Sequence, residues 1–305
     1  MLPTDWVPDN AGILSHLLYG VVPVNGLEAK IAAVVLVVFQ SIYLSYFVNS
    51  YKLSKEYSYF PAAFYLLMMA FMRESATLTP ALLGNTFIIV ALVELFKVYK
   101  KDRVLGHIFN VGFWISIGSL FYLPIGIFLF FGYIGILILR SFNLREWLIM
   151  LLGFLTPWFL TGTYFFAITK FTGFLSIQFA KNAGFLSFAF SPGIGLYFRA
   201  AILTFSFLVV ILGFRNYLYK KNIQTQKYIN LLFYTLIVLA LTPLFQQDIH
   251  LEHTILFCIP FAIFLSLSFL NIKTIPIAEF CFFILFVGAL IWQYHDFILG
   301  IIRGA

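Results

Sequence analysis

The chain has 305 residues, of which 62% are hydrophobic and 10% charged; its mean hydropathy is +0.98. Soluble domains carry about 25% charged residues, so a water-soluble globule is excluded. The formal charge of +7 does not point to nucleic acid, because the cations fall in short loops between apolar runs, where they report membrane topology. Those runs are continuous rather than alternating, which argues for helices and against strands. The expected fold is all-α: a polytopic transmembrane bundle of about ten helices, residues 1–305 forming one domain.

The chain opens on "LPTDWVPDN", which places Asp5 and Asp9 among prolines. "NAGILSHLLYG" follows, with Ile13, Leu14, Leu17 and Leu18 at helical spacing. This reads as a short amphipathic helix lying on the membrane face, within an outer-face segment 1–28. Apolar spans are then expected at 29–49, 59–73, 79–97, 107–122, 124–139, 146–167, 197–214, 228–245, 254–270 and 275–294. The stretch from Ile108 to Leu139 exceeds one span, and "FYLPIG" should break it into a hairpin.

Thirteen of the 19 lysines and arginines lie in the loops at 50–58, 97–107, 140–145, 215–227 and 271–274. The positive-inside rule makes that side cytoplasmic. Asp5, Asp9, Glu28, Glu74, Asp248, Glu252 and Asp296 then lie outside. The acidic opening segment has no helix before it to carry it across. We expect one further helix upstream; an N-out first helix is the alternative.

Four outer segments carry candidate chemistry. Asp5 and Asp9 either solvate a terminus or supply a base or metal ligand at the membrane boundary. "FMRESATLTP" adds Arg73 and Glu74, which either cap a helix end or present a carboxylate beside Asp5 and Asp9. The segment 168–196 is too polar and glycine-broken to span, and should lie in the interface. Its Lys170 and Lys181, with Arg199, could meet a phosphate. "LFQQDIHLEHT" holds the densest ionisable cluster. Asp248, His250 and His253 are candidate divalent-metal ligands there, against the reading of a solvated, hydrogen-bonded loop.

Other polar residues read more plainly. Glu94, three residues before Lys97, and Glu279, near Lys273, are expected to snorkel or pair locally rather than form a proton path. Cys258 and Cys281 lie inside apolar spans without metal or redox spacing. The 39 phenylalanines are packing and lipid-facing surface.

The stretch from Tyr59 to Phe166, "FPAAFYLLMMAF…TPWFL", resembles an uncharacterised family of polytopic integral membrane proteins from Bacteroidota. "KVYKKDR", "NVGFWISIGSLFYLP", "LILRSFNLRE" and "TPWF" also resemble, distantly, the rhythm of C-type glycosyltransferases, which use polyprenyl-phosphate sugars on the outer leaflet. That resemblance implies a catalytic carboxylate in the first outer loop and often an acidic residue in the second. Asp5 or Asp9 and Glu74 stand in those places. The chain departs from that pattern in having no soluble outer domain and no clean acidic dyad.

The sequence therefore leaves two functions open for an inner-membrane, multi-pass protein whose surroundings are the lipid bilayer. One is a transferase that moves sugar from a polyprenyl-phosphate donor. The other is a non-enzymatic subunit or scaffold of a cell-envelope assembly or export complex. A transporter is disfavoured, since neither inverted repeats nor charged mid-membrane residues are evident. The sequence does not reveal a cofactor beyond the divalent-metal option. Single cysteines at positions 101 and 220 should resist an impermeant thiol reagent in intact cells, and cysteines at 180 and 250 should react; the reverse pattern would invert the topology.

Overall fold

A computed structural model describes residues 10–23, 26–54, 56–180, 194–218, 221–245, 251–272 and 275–293. Among them the regular structure is helical throughout. The α-helices are α1 (Ile13–Tyr19), α2 (Leu27–Ser50), α3 (Phe60–Phe71), α4 (Pro80–Phe96), α5 (Leu105–Phe121), α6 (Phe128–Leu139), α7 (Leu144–Ala167), α8 (Phe171–Leu175), α9 (Ile194–Leu218), α10 (Ile223–Leu241), α11 (Cys258–Leu270) and α12 (Ile275–Gln293). Short 3-10 turns occupy Arg73–Ala76, Leu123–Ile127, Thr242–Phe245 and Leu251–Phe257. Three segments are long and apolar enough to cross a membrane: Leu27–Ser50, Leu144–Ala167 and Leu251–Leu270.

Local chemistry explains several boundaries. Thr79 accepts the amide of Leu82 at 3.3 Å and Pro80 occupies the first turn, so α4 starts there. Asn222 accepts the amide of Thr225 at 2.9 Å, which starts α10 five residues before the expected span at 228. The hairpin expected at "FYLPIG" is present. Tyr122 is extended, Leu123–Ile127 forms a 3-10 turn, and α6 returns antiparallel to α5. A Cβ on Gly132 of α6 would stand 3.4 Å from Val111 of α5.

Successive helices gather the polar turns at two ends. At one end Gly12 donates to the carbonyl of Phe121 at 2.9 Å, and Ser15 to the same carbonyl at 3.0 Å. Gln178, fully buried, accepts the amide of Ile13 at 2.8 Å and donates to the carbonyl of Ser119 at 2.9 Å. The described part of the expected interfacial segment, residues 168–180, is thus pinned to α1 and the end of α5. At the other end Lys221 donates to the carbonyl of Leu53 at 3.0 Å, and Tyr228 to that of Phe96 at 2.9 Å. Arg140 there bonds the carbonyl of Lys101 and pairs with Glu146 at 3.3 Å.

The α1 face differs from its sequence pattern. Ile13 is buried, but Leu17 points outward, and Ser15 and Tyr19 are buried instead. Both hydroxyls find backbone carbonyls, Tyr19 that of Leu78 at 2.6 Å. A polar group so paired can be buried at little cost.

The interior of the bundle is mostly apolar, but it also buries polar side chains such as Gln40, Asn85 and His253. α2 buries Ala29, Ala33, Gln40, Ser41 and Ser45 and leaves Ile31, Val34, Val35, Val38 and Ile42 exposed. Gln40 donates to the carbonyl of Leu82 at 3.0 Å and to the Thr86 hydroxyl at 2.7 Å, and accepts from Tyr65 at 2.6 Å. Asn85 donates to the Tyr65 hydroxyl at 2.9 Å. One network therefore ties α2, α3 and α4.

α5 and α7 pack most closely, backbone on backbone. A Cβ on Gly112 would lie 2.1 Å from the carbonyl oxygen of Met150, and one on Gly153 would lie 2.2 Å from that of Phe109. Only glycine allows this approach. Gly153→Val should cost about 1–3 kcal/mol or more, read as a lowered unfolding temperature of the purified protein. Gly288→Ala, whose added methyl meets nothing within 4 Å, should leave it unchanged or raised.

Candidate functional site

The end of the bundle that holds α1 carries the polar groups expected to share a site. Asn10 is buried and donates its amide to Glu252 Oε2 at 3.3 Å. Its Oδ1 has no partner among the described residues. The Glu252 carboxylate lies within electrostatic reach of Glu74 and of Tyr19. Residue 10, the turn Arg73–Ala76 and the turn Leu251–Phe257 therefore meet, although they are far apart in sequence.

The tyrosine beside them is held neutral. Burial foremost, and then the Glu252 charge, push the Tyr19 phenol well above its ordinary value. It remains a donor to the Leu78 carbonyl.

His253, the next residue, faces the other way and is buried. Its Nδ1 lies 3.0 Å from the Tyr122 hydroxyl and its Nε2 lies 2.6 Å from the Thr242 hydroxyl. Both ring nitrogens are engaged, as one donor and one acceptor of a neutral ring, which leaves neither for a metal in this arrangement. Asp248 and His250 lie outside the described residues. Among the described residues no three of His, Cys, Asp and Glu stand close enough to hold a metal ion.

The remaining expected residues are dispersed. Asp5, Asp9 and Lys181 lie outside the described residues, although Asp9 directly precedes Asn10. Lys170 is exposed at the end of α7, where its backbone amide donates to Phe165 at 2.9 Å. Arg199 lies on α9, and its side chain is outside the described part. Glu74 is half-buried beside Glu252.

Glu94, at the opposite end, is paired as its spacing suggested. Lys97 Nζ is 2.6 Å and His107 Nδ1 2.8 Å from its two oxygens. Tyr99 nearby takes Lys100 and Lys227 against its ring, at 5.6 and 5.5 Å from the centroid.

Residues 13–300 match a family model described as a family of unknown function, DUF6427. The chain belongs to that family. No curated protein and no solved structure matches it. The match spans α1 to α12 and thus includes both turns that bring Glu74 and Glu252 together.

Asn10, Tyr19, Tyr122 and Thr242 carry no sequence signal of their own; each matters through a partner between 11 and 242 residues away. Glu252 was visible within the dense "QQDIHLEHT" cluster. His253→Ala should strip two buried hydroxyls of a partner and lower stability by about 2–4 kcal/mol, measured by thermal unfolding. Tyr19→Phe, which removes one hydrogen bond, should cost about 1 kcal/mol.

Proposed function

We propose that the chain is a multi-pass protein of a bacterial inner membrane, and that the end bearing Glu74 and Glu252 transfers sugar from a polyprenyl-phosphate donor at the outer leaflet. Membrane insertion is supported by the outward face of α2, where Ile31, Val34, Val35, Val38 and Ile42 are exposed while Gln40, Ser41 and Ser45 are buried beside Val37, Leu44, Phe47 and Val48. A water-soluble helix does the opposite. α7 likewise exposes Leu152, Phe159, Leu160 and Phe166, an apolar surface that lipid covers and water does not. Orientation follows from charge: Lys97, Lys100, Lys101, Arg103, Arg140 and Arg145 share the end opposite Glu74 and Glu252.

The observation that carries the transferase reading is the meeting of Asn10, Glu74 and Glu252 at one end. Asp5 and Asp9, which lie outside the described residues, are proposed as further carboxylates of that end. A carboxylate there takes the proton of an acceptor hydroxyl. The hydroxyl oxygen bonds the sugar carbon as the bond to phosphate breaks, and the phosphate departs with the electron pair. Lys170, Lys181 and Arg199 are the cations available to hold that phosphate. The scaffold reading draws on a different observation: His253, Gln178 and Gln40 are satisfied within the chain.

Glu74→Gln, Glu252→Gln, Asp5→Asn and Asp9→Asn, compared at equal protein level, separate the two. Under the transferase reading the variant that removes the base lowers envelope glycan by about 100-fold or more, while others lose less. If all four variants keep full glycan output, the protein is a scaffold.

A further inference from the structure

We propose that the cytoplasmic end of the bundle holds an anionic phospholipid of the inner leaflet, its phosphate taken by Lys100 and Lys227 at Tyr99 and an acyl chain lying along α10. The inference rests on the membrane reading and is independent of the transferase reading.

Tyr99 lies in the turn between α4 and α5, and two ammonium groups stand against its ring, Lys100 Nζ at 5.6 Å and Lys227 Nζ at 5.5 Å from the centroid. The ring is held from behind by Tyr228, which meets it edge-on with centroids 5.9 Å apart. Tyr228 is itself buried and bonded to the Phe96 carbonyl. Neighbouring cations at this end are paired, Lys97 with Glu94 and Arg140 with Glu146. Lys100 and Lys227 pair with no carboxylate among the described residues. Two like charges gathered at one ring repel, and contact with the ring cancels neither. α10 adds to the field, because it begins with no acidic residue in its first turn and leaves its positive dipole end uncompensated. An anion answers all three conditions.

The rest of α10 selects a lipid over a soluble anion. Lys227 stands at the foot of a stripe formed by Tyr234, Ile237 and Leu241, whose helical spacing puts them on the lysine's side of α10. All three are exposed. Ile237 lies about 15 Å along the helix from Lys227, which is half the hydrocarbon thickness of a bilayer. An acyl chain of one leaflet therefore runs along this stripe from the cation to the middle of the membrane. Cation and apolar stripe in that order fit an anionic amphiphile. A free phosphate uses only the cations, and a zwitterionic headgroup brings a positive charge of its own to the two lysines.

The test uses the full chain in nanodiscs with two photoreactive probes, phosphatidylglycerol and phosphatidylcholine, each with a diazirine near the glycerol backbone. The phosphatidylglycerol probe should label the peptides that hold Tyr99 and Lys227 about tenfold above the phosphatidylcholine probe. Lys100→Gln and Lys227→Gln should each lower that labelling about fivefold. Arg145→Gln, which removes an exposed cation at the same end, should leave it unchanged, with equal unfolding temperatures for all three variants. Excess inorganic phosphate at constant ionic strength should not displace the probe. Equal labelling by the two probes, labelling that survives both lysine substitutions, displacement by inorganic phosphate, or an equal loss in Arg145→Gln overturns the inference; the last would reduce the site to the diffuse charge of that face. Failure of the chain to enter nanodiscs overturns the membrane reading as well, whereas glycan output bears on the transferase reading alone.

Discussion

Large apolar side chains lie on the outer surface of this bundle as well as in its interior, so directional polar contacts take a larger part in fixing how the helices sit. α2 states the constraint most plainly. Its exposed Ile31, Val34, Val35, Val38 and Ile42 would gain nothing by turning inward if lipid surrounds them. Its buried face instead offers Gln40, which binds α3 through Tyr65 and α4 through Leu82 and Thr86. With no competing water, such bonds are directional restraints on helix position. Gly112 and Gly153 supply the complementary device, close backbone approach between α5 and α7.

The same constraint shapes the end where α1 lies. The turns there cannot be covered by a thick hydrophobic layer, so buried polar side chains tie them down. Gln178 bridges α1 and α5, His253 bridges Tyr122 and Thr242, and Asn10 reaches Glu252. All but the His253–Thr242 bond, which spans 11 residues, link segments distant in the sequence. Together they bring Glu74 and Glu252 close, a costly arrangement for two carboxylates if it served packing alone. The opposite end is built differently, with Glu94 paired to Lys97 and hydrogen-bonded to His107, and Glu146 paired to Arg140. The contrast between a paired and an acidic end gives the molecule its polarity.

Much of the fold was legible in the sequence because apolar runs, prolines and loop charges act locally. The hairpin break at Pro124, the short helix after Asn10 and the Glu94–Lys97 pair all follow from near neighbours. The displaced start of α10 was less legible, since Asn222 capping outweighed the hydropathy of the residues that follow. The candidate site was legible only as a set of outer segments. Glu74 and the 246–253 loop were visible as ionisable clusters, whereas Asn10 and Tyr19 were ordinary residues until their partners were known.

By itself, then, the sequence determined the helical class, the approximate helix positions, and which polar turns share a side, because hydropathy and charge are summed along short windows. Only the tertiary structure decided which face of each helix is buried, since large apolar residues occupy both the buried and the exposed faces and hydrophobicity alone does not distinguish them. It also decided that Gln40 meets Tyr65 and that Asn10 meets Glu252, pairings separated by 25 and 242 residues. The meeting of Lys100 and Lys227 at Tyr99 belongs to the same class of fact. It joins the turn after α4 to the start of α10, and no short window of sequence contains both.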